Sequence, residues 1–481
     1  MIFPVFLAAL LSLSLYSHSL TILSDKPWVC LRGGAISNDS RYRMSSSEEK
    51  NDAHTKSSTS TAKFEEEEQQ KQKKLPSYSY RTVQVQVIHR HGDRTPITPL
   101  KNEDYWRTTL IPDDLIKQVA KGTKILRHRN THQKNHAAAG RGPFGKLTKL
   151  GLLHMIEVGK SLKDELEKET IWSEKVTARV ITKSVEDGVQ IQITPKDIKV
   201  YSTDFSRTIQ SVQGILVGFF PENSMIIDID CRNSTSWMIP DPQPRQTREQ
   251  ERLEKSLSQR PHMLEKEASM RHLAVRVTQS LLPLLQDGAF DISFGVEDNE
   301  DDENEDGNSS PLSWIQLTEI TMCLSVRDML PESITVDDQQ AISDHTAWKW
   351  FQSLRSPRLA HLSMCRYIAQ LVNTMQRSER EPLLIVYSCH DSSLIGLLCA
   401  LHLEQPSRWP EYGAVLKLEL LEKKKLQQQV QILEKEDSDE IGNGEYVLRF
   451  YLNGELLRSM WNGDLREEIS LQELSHLTST I

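Results

Sequence analysis

Hydrophobic positions along the chain recur with two different periods. Residues 81–88 (RTVQVQVI) alternate Val83, Val85 and Val87 with Gln84 and Gln86 and stop at a charged cluster beginning with His89. A period of two predicts a strand there. A second short strand is predicted at 198–202, followed by helical spacing from Asp204 to Phe219. Residues 383–387 (LLIVY) are continuously apolar, as a parallel strand covered on both faces requires, and a helix is predicted at 392–401. Near the end, 414–421 and 445–452 alternate again, which predicts antiparallel strands at a sheet edge. Strands that alternate with helices imply an α/β fold, a sheet with helices on both faces.

Residues 222–375 read differently: strand patterns are absent and helical ones, such as 270–285 (MRHLAVRVTQSLLPLL), dominate. This predicts a smaller, mainly helical cap domain inserted between strands, with the α/β sheet shared between 79–221 and 376–481. Within the insertion, 297–307 (EDNEDDENEDG) is too densely acidic to pack against a core and reads as a solvated loop. The segment 21–78 is rich in Ser, Thr, Lys and Glu and reads as a disordered leader.

Composition narrows the function classes. The 481-residue chain carries a formal net charge of -9, so it lacks the basic excess that nucleic-acid binding needs, and no nucleic-acid partner is expected. Residues 1–20 (MIFPVFLAALLSLSLYSHSL) form an apolar run that reads as a secretory signal, which places the protein in the secretory pathway or outside the cell. The alternative is an uncleaved membrane anchor, the one route by which a membrane becomes a partner. Sequons at Asn38, Asn233 and Asn308 are glycosylation acceptors in that compartment. Six cysteines without a CxxC pair argue against a zinc site or a dense disulfide framework, leaving buried thiols or one or two bridges.

Three charged clusters stand at the carboxyl ends of predicted strands, the edge where open α/β sheets bind ligands. They are 90–96 (RHGDRTP), 202–207 (STDFSR) and the pair His390-Asp391. Together they offer three guanidiniums, two imidazoles and three carboxylates, without a lysine or a Gly-rich nucleotide loop. Planar guanidinium forks suit a tetrahedral phosphate, and Gly92 permits close backbone approach. Phosphate binding alone needs no histidine between two arginines. His91 is therefore the candidate nucleophile, kept neutral by the flanking charges, and Asp391 the candidate proton donor. Arg90, Arg94, Arg207 and His390 are the candidate phosphate ligands, with no metal and no cofactor in the scheme.

The RHGDRTP cluster with a later His-Asp pair resembles the histidine acid phosphatases of the histidine phosphatase superfamily. Further segments carry the resemblance: 145–151 (GKLTKLG) is similar to the family's GxLTxxG helix start, 202–211 (STDFSRTIQS) to its arginine segment, 388–391 (SCHD) to its catalytic pair, and 409–420 (WPEYGAVLKLEL) to the family's segment after that pair. The resemblance runs discontinuously from about Arg81 to Asn453. It implies the same residue roles, an α/β domain with a helical cap, and a phosphomonoester as the small-molecule partner. Ile97 stands where the family's phytases often carry Thr, whereas Pro99 and Leu100 are more similar to the lysophosphatidic-acid-type members. A lysophosphatidate-like lipid monophosphate is the first expectation for the substrate; a phytase-like inositol polyphosphate phosphatase and a catalytically silent phosphate-binding member are the alternatives.

Competing readings attach to several residues. His89, His91 and Asp93 open an HxHxDH pattern of binuclear metallohydrolases, but Arg94 stands where its next histidine is required. Asp391 also suits a helix N-cap, and Arg207 suits an ion pair with Asp204. His89 and His154 depart from the family's usual residues, with His89 read as structural or as a contact behind the site. The basic stretch 117–141 is a solvated loop or a rim for a multiply charged substrate, the loop reading being favoured. A phosphomutase of the wider superfamily would carry glutamate as its acid and lack the large insertion.

Overall fold

The computed structural model describes residues 78–127, 140–167, 197–221, 226–232, 238, 248–289, 310–376, 383–404, 406, 408–425, 445–461 and 463–479. All of them belong to the unit Pro76–Ile481. The apolar run at 1–20, the leader up to residue 77, the three sequons, Cys30, the acidic loop 297–307 and 128–139 of the basic stretch lie outside the described residues.

The sheet is organised around β1 (Tyr78–Arg90), which pairs parallel with β5 (Leu384–Cys389) on one side and antiparallel with β6 (Val415–Lys425) on the other. With β2 (Thr123–Arg127), β3 (Ile198–Thr203), β4 (Ile227–Arg232), β7 (Glu445–Leu452), β8 (Glu455–Leu457) and β11 (Ile469–Ser470), the order is β11-β7-β6-β1-β5-β3-β4-β2, and β8 lies against β7. The strands from β1 to β2 are parallel, whereas those from β6 to β11 are antiparallel. A separate hairpin joins β9 (Ser459–Trp461) and β10 (Asp464–Arg466).

Helices cover both faces. Val85 and Val87 of β1 pack with Met155 and Leu162 of α3 (Lys149–Glu167) and with Val212 and Ile215 of α4 (Ser206–Phe219). Ile88 points the other way, into the core shared with α9 (Pro357–Met375) and α10 (Asp391–Ala400). The polar positions of the strand do not face water. Gln84 and Gln86 are fully buried, and their amides donate to Thr374 and Leu371 of α9. Alternation therefore marks two different interiors here, one apolar and one hydrogen-bonded.

A third core joins the short α1 (Glu103–Thr108) to α6 (Pro261–Leu281), α7 (Trp314–Ser325) and α8 (Val336–Leu354) through Trp106, Val277, Leu281, Leu317, Ile320 and Ile342. This is the helical insertion, whose first described helix is α5 (Arg248–Ser258). It starts later than the sequence pattern indicates, because 227–232 (IDIDCR) forms β4 and pairs with β3 and β2. Six residues with apolar side chains at alternate positions are too few for periodicity to separate a strand from a helix turn.

Two other expectations change. Residues 117–127 are not loop: they close α2 (Asp113–Ala120) and form the edge strand β2. The strand at 415–425 lies inside the sheet rather than at its edge, flanked by β1 and β7. The chain ends in α11 (Leu471–Ser479), and among the described residues no helix is long and apolar enough to cross a membrane.

The start of α3 is pressed against the loop that follows β1. A Cβ added to Gly151 would lie 2.1 Å from the carbonyl oxygen of Asp93 and 2.7 Å from its nitrogen, inside hard contact with backbone. Gly151→Ala is expected to lower stability by about 2 kcal/mol or more and to reduce turnover by displacing the loop. A thermal melt unchanged from wild type would contradict this close packing.

Candidate active site

β1, β5 and β3 are neighbours in the parallel half of the sheet, and their carboxyl ends are level: Arg90 pairs with Cys389, and Ser388 with Ser202. The residues that follow each strand therefore emerge side by side. Arg90, His91, Arg94, Arg207, His390 and Asp391 all line one cavity of about 110 Å³. That is many times the space one water needs, and enough for a tetrahedral anion with part of its ester group.

His91 is 2% exposed, and its ring centroid lies 5.7 Å from that of His390 and 5.9 Å from that of Tyr412. Its Nδ1 is 2.9 Å from the carbonyl oxygen of Gly92. A carbonyl only accepts, so Nδ1 carries the hydrogen and Nε2 keeps its lone pair in the neutral ring. The Gly92 amide donates to Ser211 Oγ at 3.0 Å, and Ser211 donates to the carbonyl of Arg207 at 2.6 Å. The first and second clusters are thus tied to each other through one hydroxyl of α4.

The loop after His91 is fixed from two sides. Thr95 N donates to Lys146 O at 3.0 Å and Thr148 N to Asp93 O at 3.1 Å, which gives the GKLTKLG segment its role as a backbone brace. From the insertion, Glu319 of α7 bonds Arg94 Nη1 at 2.7 Å, and Arg327 bonds Asp93 Oδ2 at 2.6 Å. Asp93 is thereby engaged with Arg327 and Thr148. His89 is fully buried with Nδ1 bonded to the carbonyl of Arg90, a structural position. Among the described residues no group of three or more His, Cys, Asp or Glu converges as a metal site would require.

The third cluster is held by β3 and by the segment after α10. His390 is the N-cap of α10 and Asp391 its first residue, which shifts the cap one position from the sequence expectation. Thr203 Oγ1 lies 3.0 Å from His390 Nε2 and 2.9 Å from Thr208 Oγ1. The Asp391 carboxylate meets Arg90 Nη2 at 2.8 Å and accepts from Trp409 Nε1 at 3.0 Å. Arg90 also donates to Pro410 O and stacks 4.2 Å from the Tyr412 ring centroid. Arg207 lies 4.5 Å over Phe205, and Asp204 pairs with Arg127.

Electrostatics follow from this crowding. Burial and then Arg207, Arg90, His390 and Arg94 push the pKa of His91 well below the usual histidine range. Burial and Arg207 do the same to His390, against the pull of Asp391. Burial, with Arg94 adding repulsion, lowers Arg207 to about 9. For Asp391, burial raises the pKa but Arg90, His390 and the Trp409 hydrogen bond outweigh it, so the carboxyl titrates below its ordinary value. The site is a buried, positively charged hollow that suits an anion and keeps the His91 ring uncharged.

Glu319, Arg327, Tyr412 and Thr203 are contributors that sequence reasoning did not single out. Thr203 and Tyr412 sit inside the quoted segments 202–211 and 409–420, so a signal existed for them. Glu319 and Arg327 belong to the insertion, where nothing local marks one acidic and one basic residue among many.

Comparisons with known proteins point the same way. The sequence pattern of the histidine phosphatase superfamily (branch 2) matches residues 82–279. Counting factor 60 of Dictyostelium discoideum is 26% identical over 396 residues, covering 77% of this chain and 79% of that one. Lysophosphatidic acid phosphatase type 6 of Mus musculus is 26% identical over 161 residues, covering 31% of this chain and 35% of that one. Among solved structures, Hafnia alvei phytase in complex with tartrate is similar in fold, with a TM-score of 0.50 and 11% identity over 83% of this chain and 96% of that one.

Burial of neutral imidazoles has a measurable cost in acid. Burial lowers the pKa of His89 to about 4, against a weaker raising effect of its bond to the Arg90 carbonyl. Below about pH 6.5 the unfolded chain takes up a proton that the folded chain refuses, so stability is full above that value and falls towards pH 4. For His89 alone this amounts to roughly 3 kcal/mol, and His91 and His390 act with the same sign. The thermal midpoint should therefore drop between pH 7 and pH 4.5, and less steeply in His89→Gln. Identical pH dependence in the two proteins would refute this assignment.

Proposed function

We propose that the chain is a phosphomonoester hydrolase of the histidine phosphatase superfamily (branch 2), whose pattern matches residues 82–279, and that it works through a phosphohistidine formed on His91. The observation that carries this reading is the neutral His91 ring, its Nδ1 held by the Gly92 carbonyl, lining a cavity shared with three guanidiniums and the carboxyls of Asp391 and Glu319. In the first step the Nε2 lone pair attacks phosphorus, the ester P–O bond breaks, and Asp391 gives its proton to the departing oxygen. Arg90, Arg94, Arg207 and His390 hold the charge that develops on the transferred oxygens. In the second step Asp391, now a carboxylate, takes a proton from water as that water attacks phosphorus. Inorganic phosphate leaves and the ring is restored.

Asp391 must be protonated for the first step, although Arg90 favours its ionised form. A phosphate dianion draws on the same guanidinium and places negative charge beside the carboxyl, and both effects raise the carboxyl pKa. This supports faster turnover in mild acid, with the rate falling as pH rises and the acid form is lost. His91, lowered by the same surroundings, remains unprotonated there.

For the substrate, the remaining walls of the cavity include Phe205, Ile315, Met322, Trp350 and Trp409, and no lysine lines it among the described residues. These walls support a monoester with an apolar leaving group, a lysophosphatidate-like lipid monophosphate first. The likeness to Lysophosphatidic acid phosphatase type 6 supports the same direction. The phytase-like reading has less support, since Hafnia alvei phytase shares the fold at 11% identity and Ile97 lines the cavity here. A secretory-pathway location belongs to the same reading and rests on the apolar run at 1–20.

His91→Ala should lower kcat by about a thousandfold or more on any monoester. Asp391→Asn should slow lysophosphatidate hydrolysis by about a hundredfold but p-nitrophenyl phosphate much less, because nitrophenolate departs without a proton. Equal losses on the two substrates would contradict the proton-donor role. Activity should also survive EDTA, and its abolition by the chelator would exclude the metal-free scheme.

A further inference from the structure

Glu319 occupies an unusual place for an acidic residue, inside a cavity built for anions. It is 4% exposed and lines the same hollow as Arg94 and His91. Its Oε2 accepts from Arg94 Nη1 at 2.7 Å and from Ile97 N at 2.8 Å, while Oε1 accepts from Thr98 N at 2.7 Å. One guanidinium and two consecutive backbone amides thus converge on a carboxylate. The same donor set, left open, is what a protein offers to a phosphate.

The carboxylate is not free to swing aside. Its helix α7 is fastened to the loop at two further points spaced four residues apart, Cys323 Sγ to Arg94 O at 3.3 Å and Arg327 Nη2 to Asp93 Oδ2 at 2.6 Å. Residues 319, 323 and 327 form one row along the helix and its following turn. A buried carboxylate with three hydrogen bonds holds its geometry, because removing it would leave a guanidinium and two amides unsatisfied.

We propose that Glu319 is a specificity-determining residue, a resident anion that fills the place next to the scissile group where a second phosphate would dock. This rests on the reading of His91 and its arginines as the reacting centre. A substrate bearing another phosphate near the ester meets a fixed negative charge and finds the loop donors already used. A leaving group that is neutral beside the ester oxygen meets Ile97, Ile315 and Met322 instead. The site is therefore selective for monophosphates by exclusion as well as by attraction.

The test compares kcat/KM for phenyl phosphate and for inositol hexakisphosphate in the wild type, Glu319→Gln and Glu319→Asp. In Glu319→Gln the preference for phenyl phosphate should shrink about tenfold or more, as expected when a repulsive element is removed. Glu319→Asp keeps the charge and should keep the preference, whatever happens to overall turnover. If Glu319 only positions Arg94, Glu319→Gln slows both substrates by the same factor and the preference is unchanged, which overturns the proposal.

A variant-free arm covers failure to fold: in the wild type, inositol hexakissulfate should inhibit no more than about tenfold better than inorganic sulfate, and inhibition about a hundredfold better would also overturn it. His91→Ala separates the two levels. Turnover of phenyl phosphate by that variant would sink the reading of the centre, whereas a dead His91→Ala with an unchanged preference in Glu319→Gln would sink this inference alone.

Discussion

Three guanidiniums buried at one sheet edge are the constraint around which the rest of the molecule is arranged. Arg90, Arg94 and Arg207 are each no more than 5% exposed, and removing an ion from water costs several kcal/mol unless charge and hydrogen bonds replace the lost hydration. Asp391 stands against Arg90 and Glu319 against Arg94, while Arg207 rests over Phe205 and is driven towards a lower pKa. Such a cluster favours an incoming anion because the anion completes what the protein only partly supplies. Burial, reinforced by the same charges, suppresses protonation of His91, so attraction of an anion and a neutral imidazole arise in one place.

Holding these charges in register takes elements far apart in the chain. The sheet levels three strand ends, α3 braces the loop through backbone contacts at Gly151 and Thr148, and α7 grips it from the insertion through Glu319 and Arg327. The insertion is therefore part of the centre's framework as well as a wall. Ile315 and Met322 line the cavity from the same helix whose Glu319 bonds Arg94, so one helix supplies both an apolar wall and the clamp on the loop after β1.

Much of this was legible in the residues themselves. The six proposed site residues meet in one cavity because their clusters follow strands whose pattern is unambiguous: Val85 and Val87 alternate, and LLIVY is apolar throughout. Local chemistry next to a recognisable strand end carries its own address. What the sequence withheld is non-local. Gln84 and Gln86 look like a wet face but bond carbonyls of α9, whose position no spacing near them encodes. The strand IDIDCR is too short for periodicity, and Glu319 gains its meaning only from the loop more than two hundred residues earlier. The Arg127 partner of Asp204 was hidden for the same reason, since it reaches across from a strand that looked like loop.

The most direct measurement is mass spectrometry of the enzyme quenched in alkali during turnover of a slow monoester. A phosphoryl adduct is expected on the imidazole of His91, stable to base, lost in acid, and absent when substrate is withheld. Turnover that continues with no adduct on any histidine, or an adduct on a different residue, would contradict the phosphohistidine route.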